Sequence, residues 1–471
     1  MNRLCHRIVF NKQRGQLMAV AETAHSQRKG GGQRPARRCR LPYRRLTPIG
    51  KLVLASGVSL CAASQTLAQI RADASAPRLQ QPTVLNTASG TPLVNIQTPS
   101  AAGVSRNSYS QFDVQAKGAV LNNARTDAST QLGGWVQGNP WLARGSARVI
   151  LNEVNSSSPS QLKGFVEVAG QRADVIFANP SGIQIDGGGF INAGSAVMTT
   201  GTPRFGVDGS IMSFGVQGGS IRIDGRGLDA SQTDYTALLT RALEINAGIW
   251  AKDLRITTGT RDVSVDASPG SDTLPPLDQA PRYALDSSLL GGMYAQRIRL
   301  IGTEAGLGVR HEGQLVANQI SLSAEGRLEN GGTIYAQGDG AELQMRIPEG
   351  INNTGTIAGH GNVSLVGQRL QSGAGSITAA GLQEDGKLVG SAELQLLAEE
   401  SQQHHGQLLA SGRLRMEAPR LDLEEAGVVD EALDAGPGIA LHQHLDSAVG
   451  QFKQLQHLRQ RADRVQVGGS R

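Results

Sequence analysis

Cysteine is absent from most of this chain. Its three cysteines, Cys5, Cys39 and Cys61, all lie in the first 68 residues. The remaining residues can therefore hold no disulfide, thiolate metal site or cysteine nucleophile. Such a chain can cross an oxidising compartment unfolded, because no premature disulfide can lock a loop. Aromatic residues make up 4% of the sequence, against 60 glycines. That excludes a large aromatic core and favours short strands joined by tight turns. Segments with sustained helical periodicity are almost missing after residue 69. An excess of positive charge is missing too, once the leader is set aside. Residues 1–68 hold 13 Lys and Arg and one acid, Glu22. Taking these from totals of 45 and 40 leaves 32 basic and 39 acidic residues, a net charge of −7. A mildly acidic chain offers no electrostatic basis for binding nucleic acid.

Signatures of catalysis are also lacking. The sequence has no GxxxxGK[ST], HExxH or GxSxG. Gly225-Arg226-Gly227-Leu228-Asp229-Ala230, with Glu244 further on, fits a loose dinucleotide fingerprint, but no strand–helix–strand unit surrounds it. His404 and His405 point to opposite faces of an extended strand. His442, His444 and Asp446 could share a strand face and hold a metal, but a solvated surface cluster is the simpler reading. Arg222 and Asp224 form the kind of pair found on any exposed strand. The expectation is a protein that is not an enzyme, with no cofactor, metal or catalytic residue.

What is present begins with a leader. Residues 44–69, RRLTPIGKLVLASGVSLCAASQTLAQ, have the parts of a secretory signal. Arg44, Arg45 and Lys51 give the positive flank, and Leu52–Ser64 is apolar but too short to anchor in a bilayer. Thr66-Leu67-Ala68 supplies small residues for cleavage, so the expected cut falls between Ala68 and Gln69. A long amino-terminal extension precedes this signal.

The body of the chain alternates. GSIRIDG, AQRIRLIG, NQISLSAEG and NVSLVG each place two to four apolar residues at period two, bounded by Gly, Asn or Asp, which is the signature of strands and turns. The pattern also repeats. Asn330-Gly331-Gly332-Thr333-Ile334 returns as Asn353-Thr354-Gly355-Thr356-Ile357, offset by 23. Gly313-Gln314-Leu315 places Leu315 19 residues before Ile334, and Gly375-Ser376-Ile377 places Ile377 20 after Ile357. Gly406-Gln407-Leu408 continues the series less regularly. A period near 20 built from short strands matches one coil of a parallel β-helix. One coil cannot bury its inward side chains, whereas coils stacked about 4.8 Å apart pair their backbones and form a continuous core. Residues 290–425 suffice for six or seven coils. The final stretch differs: Leu445, Val449, Phe452, Leu455 and Leu458 are spaced as on an amphipathic helix.

One stretch stands out, DVIFANPSGIQIDGGGFINAG at 174–194. An apolar run breaks on Asn179-Pro180-Ser181-Gly182 and resumes at Ile183. Asn can hydrogen-bond its own following backbone, and Pro presets φ near −65°. Gly182 permits an exit at positive φ. Such turns form locally, before any distant strand arrives.

The amino-terminal extension resembles the extended signal-peptide region of very large exported bacterial surface proteins. The matching residues are Arg7-Ile8-Val9-Phe10-Asn11, Arg14-Gly15 and Met18-Ala19-Val20-Ala21-Glu22. Residues 1–310 as a whole resemble the amino-terminal secretion domain of two-partner-secretion exoproteins of the filamentous-haemagglutinin type. The anchors are Asn107-Ser108-Tyr109, Phe112-Asp113-Val114, Leu121-Asn122-Asn123, Ile150-Leu151-Asn152-Glu153-Val154 and Ala173-Asp174-Val175-Ile176. With them come two turns, Asn139-Pro140-Trp141-Leu142 and Asn179-Pro180-Ser181-Gly182-Ile183. The family's own turns are Asn-Pro-Asn-Leu and Asn-Pro-Asn-Gly-Ile, so Trp141 and Ser181 depart from them. Ser suits a turn; Trp does not, which puts the first motif's turn geometry in question.

The resemblance implies an all-β, right-handed parallel β-helix with an N-terminal cap and extra-helical strands. It implies a secretion domain over 69–310, behind a cleaved leader over 1–68; the repeat offsets and the terminal spacing add repeat coils over 311–430 and a helical tail over 431–471. It further implies a Gram-negative source, passage through the Sec translocon, and recognition by a dedicated outer-membrane barrel with POTRA domains. The product would be secreted or held at the cell surface as a haemagglutinin-like adhesin with an unidentified surface receptor. Two alternatives stay open: the stem of a contact-dependent growth-inhibition toxin, and a β-helical carbohydrate-active enzyme.

Overall fold

The computed structural model describes residues 69–423 and the strands His6–Asn11, Gln16–Ala21, Gly427–Val429 and Leu433–Ala435. The chain divides into two units, Met1–Thr66 and Leu67–Arg471. In the first, the two described strands form an antiparallel hairpin with His6 opposite Ala21. The second is a right-handed parallel β-helix. No helix among the described residues is long and apolar enough to cross a membrane.

Each coil contributes three strands, and like strands stack in register into three parallel ladders. The first ladder has long strands, among them Val104–Phe112, Val149–Val154, Ala173–Ala178 and Ala193–Thr199, and later Arg297–Gly302 and Gln319–Ala324. The second has short ones, from Ser160–Leu162 and Ile183–Ile185 to Leu328–Asn330 and Ile351–Asn353. The third runs from Pro92–Asn95 through Ala119–Asn123 and Phe165–Gly170 to Gln407–Ala410 and Gly427–Val429. Strand Asn362–Ser372 turns a corner without a break and belongs to the first two ladders at once. From Gly292 to Val429 the third ladder contains seven strands, in line with the six or seven coils expected.

Alternation in the sequence becomes an interior column. Ile298 pairs with Ile320, Ile320 with Leu343 and Leu343 with Val363, and all four are buried. On the third ladder, Leu315, Ile334 and Ile357 lie side by side, as the 19- and 23-residue offsets require. The next step differs from the sequence reading. Ile357 pairs with Thr378, and Ile377 pairs with Thr356, so the true offset is 21. Ile377 is half-exposed, while Thr378 is buried and its hydroxyl accepts from Asn353 Nδ2 at 3.2 Å. A satisfied hydroxyl can thus replace an aliphatic group in the core. The longer step to Gln407–Ala410 reflects an inserted hairpin, with Leu382 bridged to Leu388.

The ladders pass through residue 310 without a break, since Leu285–Ser287, Val309–His311 and Leu328–Asn330 pair in succession. The expected boundary between secretion domain and repeat coils is therefore no structural joint. Beyond residue 430, Leu433–Ala435 still pairs with Arg413–Glu417, so a coil strand stands where the tail was expected to begin. The helix read over 441–465, with His442, His444 and Asp446, lies outside the described residues.

The amino-terminal region carries the expected cap and extra strands. Ile70–Ala72 pairs antiparallel with Val104–Phe112, and Thr83–Asn86 with Pro92–Asn95. Two hairpins, from 202–215 and 261–273, join into a four-stranded antiparallel sheet. This sheet packs Phe214, Val216 and Val263 over the outer face of the first ladder, burying Leu151, Ile176, Ala178, Val197 and Leu239. That second burial is why the run from Val175 to Ala178 is continuously apolar rather than alternating. Inside, Tyr109, Phe112, Phe177 and Phe190 follow one another in edge-to-face and tilted contacts, with centroid separations of 4.7, 5.0 and 6.4 Å.

Candidate functional site

Both Asn-Pro motifs fold into the same device. At the first, the carbonyl of Asn139 accepts from Leu142 N at 3.1 Å, and its side-chain Oδ1 accepts from Trp141 N at 3.0 Å. At the second, Asn179 O accepts from Gly182 N at 3.0 Å and Oδ1 from Ser181 N at 2.9 Å. Each Asn points inward, and its amide ties the turn to other segments. Asn139 Nδ2 donates to Ile96 O and Asn122 O, both at 2.9 Å. Asn179 Nδ2 donates to Ser158 O at 3.1 Å and Ser160 Oγ at 3.0 Å. Both asparagines are buried, whereas Pro140 and Pro180 are exposed. The device thus hides its wiring and displays the proline, together with Trp141 at the first corner, while Ser181 at the second is half-buried.

Trp141 fits because the turn uses only its backbone. Pro140–Leu142 is a 3-10 turn in which position 141 needs no positive φ. The indole lies outside, 45% exposed, with Nε1 donating to Thr83 Oγ1 at 3.3 Å, while Leu142 fills the core. The departure from the family's Asn therefore leaves the turn intact and changes the displayed surface. At the second corner, Gly182 has φ +111°, and a Cβ there would stand 2.9 Å from Ser220 O. Only glycine suits both conditions. Ile183 comes next, fully buried.

A polar loop the sequence reading did not single out surrounds the second corner. Ser181 Oγ donates to Ser156 O at 2.5 Å, and Ser160 N donates to Gly182 O at 3.0 Å. Asn155 Nδ2 donates to Asp73 Oδ2 at 2.9 Å, linking this loop to the amino-terminal cap. Hydrogen bonds from Ser75 and then Asn155 hold the Asp73 carboxyl below its usual range. A cavity of about 190 Å³ opens beside the loop, lined by Ser110, Asp113, Ser156, Ser158 and Pro159. The run Ser156-Ser157-Ser158-Pro159 was the available signal for it.

Other sequence anchors have a common physical basis. Asn107, Asn122, Asn123 and Asn152 are all fully buried. Asn122 Nδ2 donates to Asn95 Oδ1 at 2.8 Å, Asn123 Nδ2 to Gln171 O at 2.8 Å, and Tyr109 Oη donates to Asn152 Oδ1 at 3.0 Å. A buried amide needs partners, so each such Asn fixes the placement of a neighbouring coil.

The decoys resolve simply. Gly225-Arg226-Gly227 is a turn closed by Gly227 N donating to Asp224 O at 2.9 Å, and it leads into strand Leu228–Ala230, not a helix. Arg222 pairs with Asp224 at 2.8 Å on an exposed strand. His404 is buried, with Ser372 Oγ 2.9 Å from Nδ1, and burial, with His405 nearby, lowers its pKa to about 4. No group of three or more potential metal ligands occurs among the described residues.

A capped parallel β-helix with outer hairpins and two Asn-Pro corners is the architecture of a bacterial secretion domain. The comparisons agree with this reading. Residues 68–330 match the TPS secretion domain, and residues 1–49 match the Extended Signal Peptide of Type V secretion system. The chain belongs to the two-partner-secretion exoprotein family, whose members are exported across the outer membrane to the cell surface or medium. It is 46% identical over 371 residues to Toxin CdiA of Yersinia pestis, an alignment covering 77% of this chain and 11% of that protein. It is 42% identical to tRNA nuclease CdiA-2 of Burkholderia pseudomallei, covering 70% of this chain and 10% of that one. The chain thus spans about a tenth of the length of these relatives. Among solved structures, it matches the filamentous hemagglutinin secretion domain with a TM-score of 0.51 and 30% identity, over 66% of this chain and 99% of that one. The secretion domain is non-enzymatic.

Proposed function

We propose that this chain is exported through a cognate outer-membrane POTRA-barrel transporter, which reads the surfaces displayed at Pro140-Trp141 and Pro180-Ser181. The supporting observation is the duplicated corner. Two distant sequence segments build the same turn from local hydrogen bonds, and each exposes its proline, followed by an exposed Trp141 at the first corner and a half-buried Ser181 at the second. Local turns exist before long-range strand pairing, so an unfolded exporting chain can present them. In this reading the leader passes the Sec translocon and is cut between Ala68 and Gln69. The exported protein is an adhesin that engages a receptor on host or neighbouring cells, without catalysis or cofactor. The test is secreted yield of Pro140→Ala/Trp141→Ala and Pro180→Ala/Ser181→Ala in a strain carrying the transporter, beside melting of the purified proteins. Reduced export with unchanged melting is expected; normal export of both pairs rejects the reading.

A second reading has its own support. The relatives named above are a toxin and a tRNA nuclease, and this chain matches only a small share of each. In that reading it is the amino-terminal stem of a contact-dependent growth-inhibition toxin. Immunoblotting native cells with antibody against the secretion domain decides: a product several times longer than 471 residues favours the stem.

A further inference from the structure

The third ladder carries a surface unlike the rest of the rod. None of its strands from Gly248–Ala251 to Gln407–Ala410 contains Asp, Glu, Lys or Arg. On the first ladder, by contrast, outward positions include Arg299, Arg346, Arg415 and Glu417. At the amino-terminal end of the neutral strip two aromatic residues stand on neighbouring coils. Trp250 is in register with Tyr294, their ring planes lie within 15° of each other, and their centroids are 6.1 Å apart. Each ring leans back along its own strand over a glycine. A Cβ at Gly248 would meet the indole at 2.5 Å, and one at Gly292 would meet the phenol ring at 2.6 Å. The two glycines let the rings lie low on the sheet, and Trp250 keeps 44% of its surface open to solvent.

Hydrogen-bonding groups border the pair on both sides. On the preceding coil, Asp229 is in register with Trp250 and exposed. Its Oδ1 takes the Ser231 amide and hydroxyl at 3.2 and 2.7 Å, which leaves Oδ2 without a protein partner. On the following coil, exposed Gln314 accepts from Tyr294 Oη at 2.9 Å through Oε1 and keeps its Nε2 for another acceptor. Carboxylate, indole, phenol and amide therefore succeed one another across three coil steps.

We infer that Asp229, Trp250, Tyr294 and Gln314 form a binding platform for an uncharged oligosaccharide. The aromatic pair by itself is too small to anchor a protein partner. A tryptophan presents about 150–250 Å² in all, so the open part of this pair is on the order of 100–200 Å². A stable protein interface needs about 800 Å² from each side. The surface is flat and bordered by polar groups, unlike a site for an acyl chain. A sugar ring has an apolar C–H face for the aromatic rings and a rim of hydroxyls for the carboxylate and amide. The strands of the strip carry no cation, exposed Lys252 and Arg297 lying beyond their ends, and Asp229 at the edge disfavours anionic glycans. The inference is independent of how the chain is exported.

The test uses the full secreted chain, with saturation-transfer NMR and calorimetry against laminarihexaose, cellohexaose, mannohexaose and polygalacturonate. At least one neutral glycan should bind, and polygalacturonate should not. Trp250→Ala should weaken that binding at least tenfold, and Asp229→Asn severalfold, with unchanged circular dichroism and melting. Trp135→Ala, which removes a different exposed indole, should bind like the parent. The inference fails if no neutral glycan binds, if polygalacturonate binds as well, or if Trp250→Ala has no effect. It also fails if sedimentation shows a dimer that Trp250→Ala abolishes while no glycan binds.

Discussion

The first ladder is buried on two faces near the amino terminus and on one face further along. Around Ala173–Ala178 the interior holds Phe177 while the outer hairpin sheet covers Ile176. Around Arg297–Gly302 the interior holds Ile298 and Leu300, while Arg299 and Ile301 remain partly open to solvent. The same strand geometry therefore supports two sequence codes, a continuous apolar run and an alternating one. The extra layer, rather than the coil, sets which code appears.

That contrast can be broken most forcefully from inside. Phe177→Ala removes the middle of the aromatic row and should cost about 3–5 kcal/mol, read by chemical denaturation of the secretion domain. A cost below about 1 kcal/mol would mean the aromatic row is dispensable. The outer layer is tested by a matched pair. Ile176→Ala should cost about 2–5 kcal/mol and Ile301→Ala about 1 kcal/mol or less, although both are outward isoleucines on the same ladder. Equal costs would show that the hairpin sheet adds no burial energy.

Acid sharpens the comparison at the other end. His404 is held neutral in the fold, with its pKa lowered to about 4 from 6.5, first by burial and then by His405. Between those values the unfolded chain binds the extra proton, so stability falls as pH drops from 6.5 towards 4. The loss is on the order of 3 kcal/mol and levels off below. His311, lowered by burial, adds a loss of the same sign. Asp73, by contrast, is lowered by hydrogen bonds and contributes above its ordinary pKa. Its share disappears only as pH falls below 3.8 through the folded value. Hydrogen exchange across pH 7 to 4 should therefore show the carboxy-terminal coils opening before the cap. The smallest effect is expected at the exposed corner, where Pro180→Ala should change stability by less than about 1 kcal/mol.

The sequence made the coils legible where they repeat a residue type, as Leu315, Ile334 and Ile357 do. It misled at Ile377, where Thr378 takes the interior place and the aliphatic residue turns outward. It showed one step of an interior column, Asn330 to Asn353, and missed the rest: Ser287, His311, Asn330, Asn353, Ser372 and His404 occupy successive coils in register and are all buried. No letter recurs regularly, because what the position requires is a small or medium polar group, and several residue types meet it. At the candidate site, the Asn-Pro turns were readable because turn formation is local. Trp141 was not, because whether an indole disrupts a turn depends on where its side chain can go. The serine loop and Asp73 meet the second corner only through tertiary contacts.

The ladder hydrogen bonds run from coil to coil, along the rod, and this orientation matters if an attached molecule is pulled. Tension along the axis loads each coil interface in series, so the weakest opens first and the coils peel away one at a time. The four-stranded outer sheet changes that response locally. Its strand Ile211–Gly215 leaves the chain after Ala193–Thr199, and its partner Arg261–Ser264 leaves after Asp253–Thr258, two steps down the ladder. The sheet is thus a clamp bridging coils that do not touch directly, and opening them would also require its antiparallel strands to part. The rod is mechanically graded, reinforced near the amino terminus and extensible beyond it.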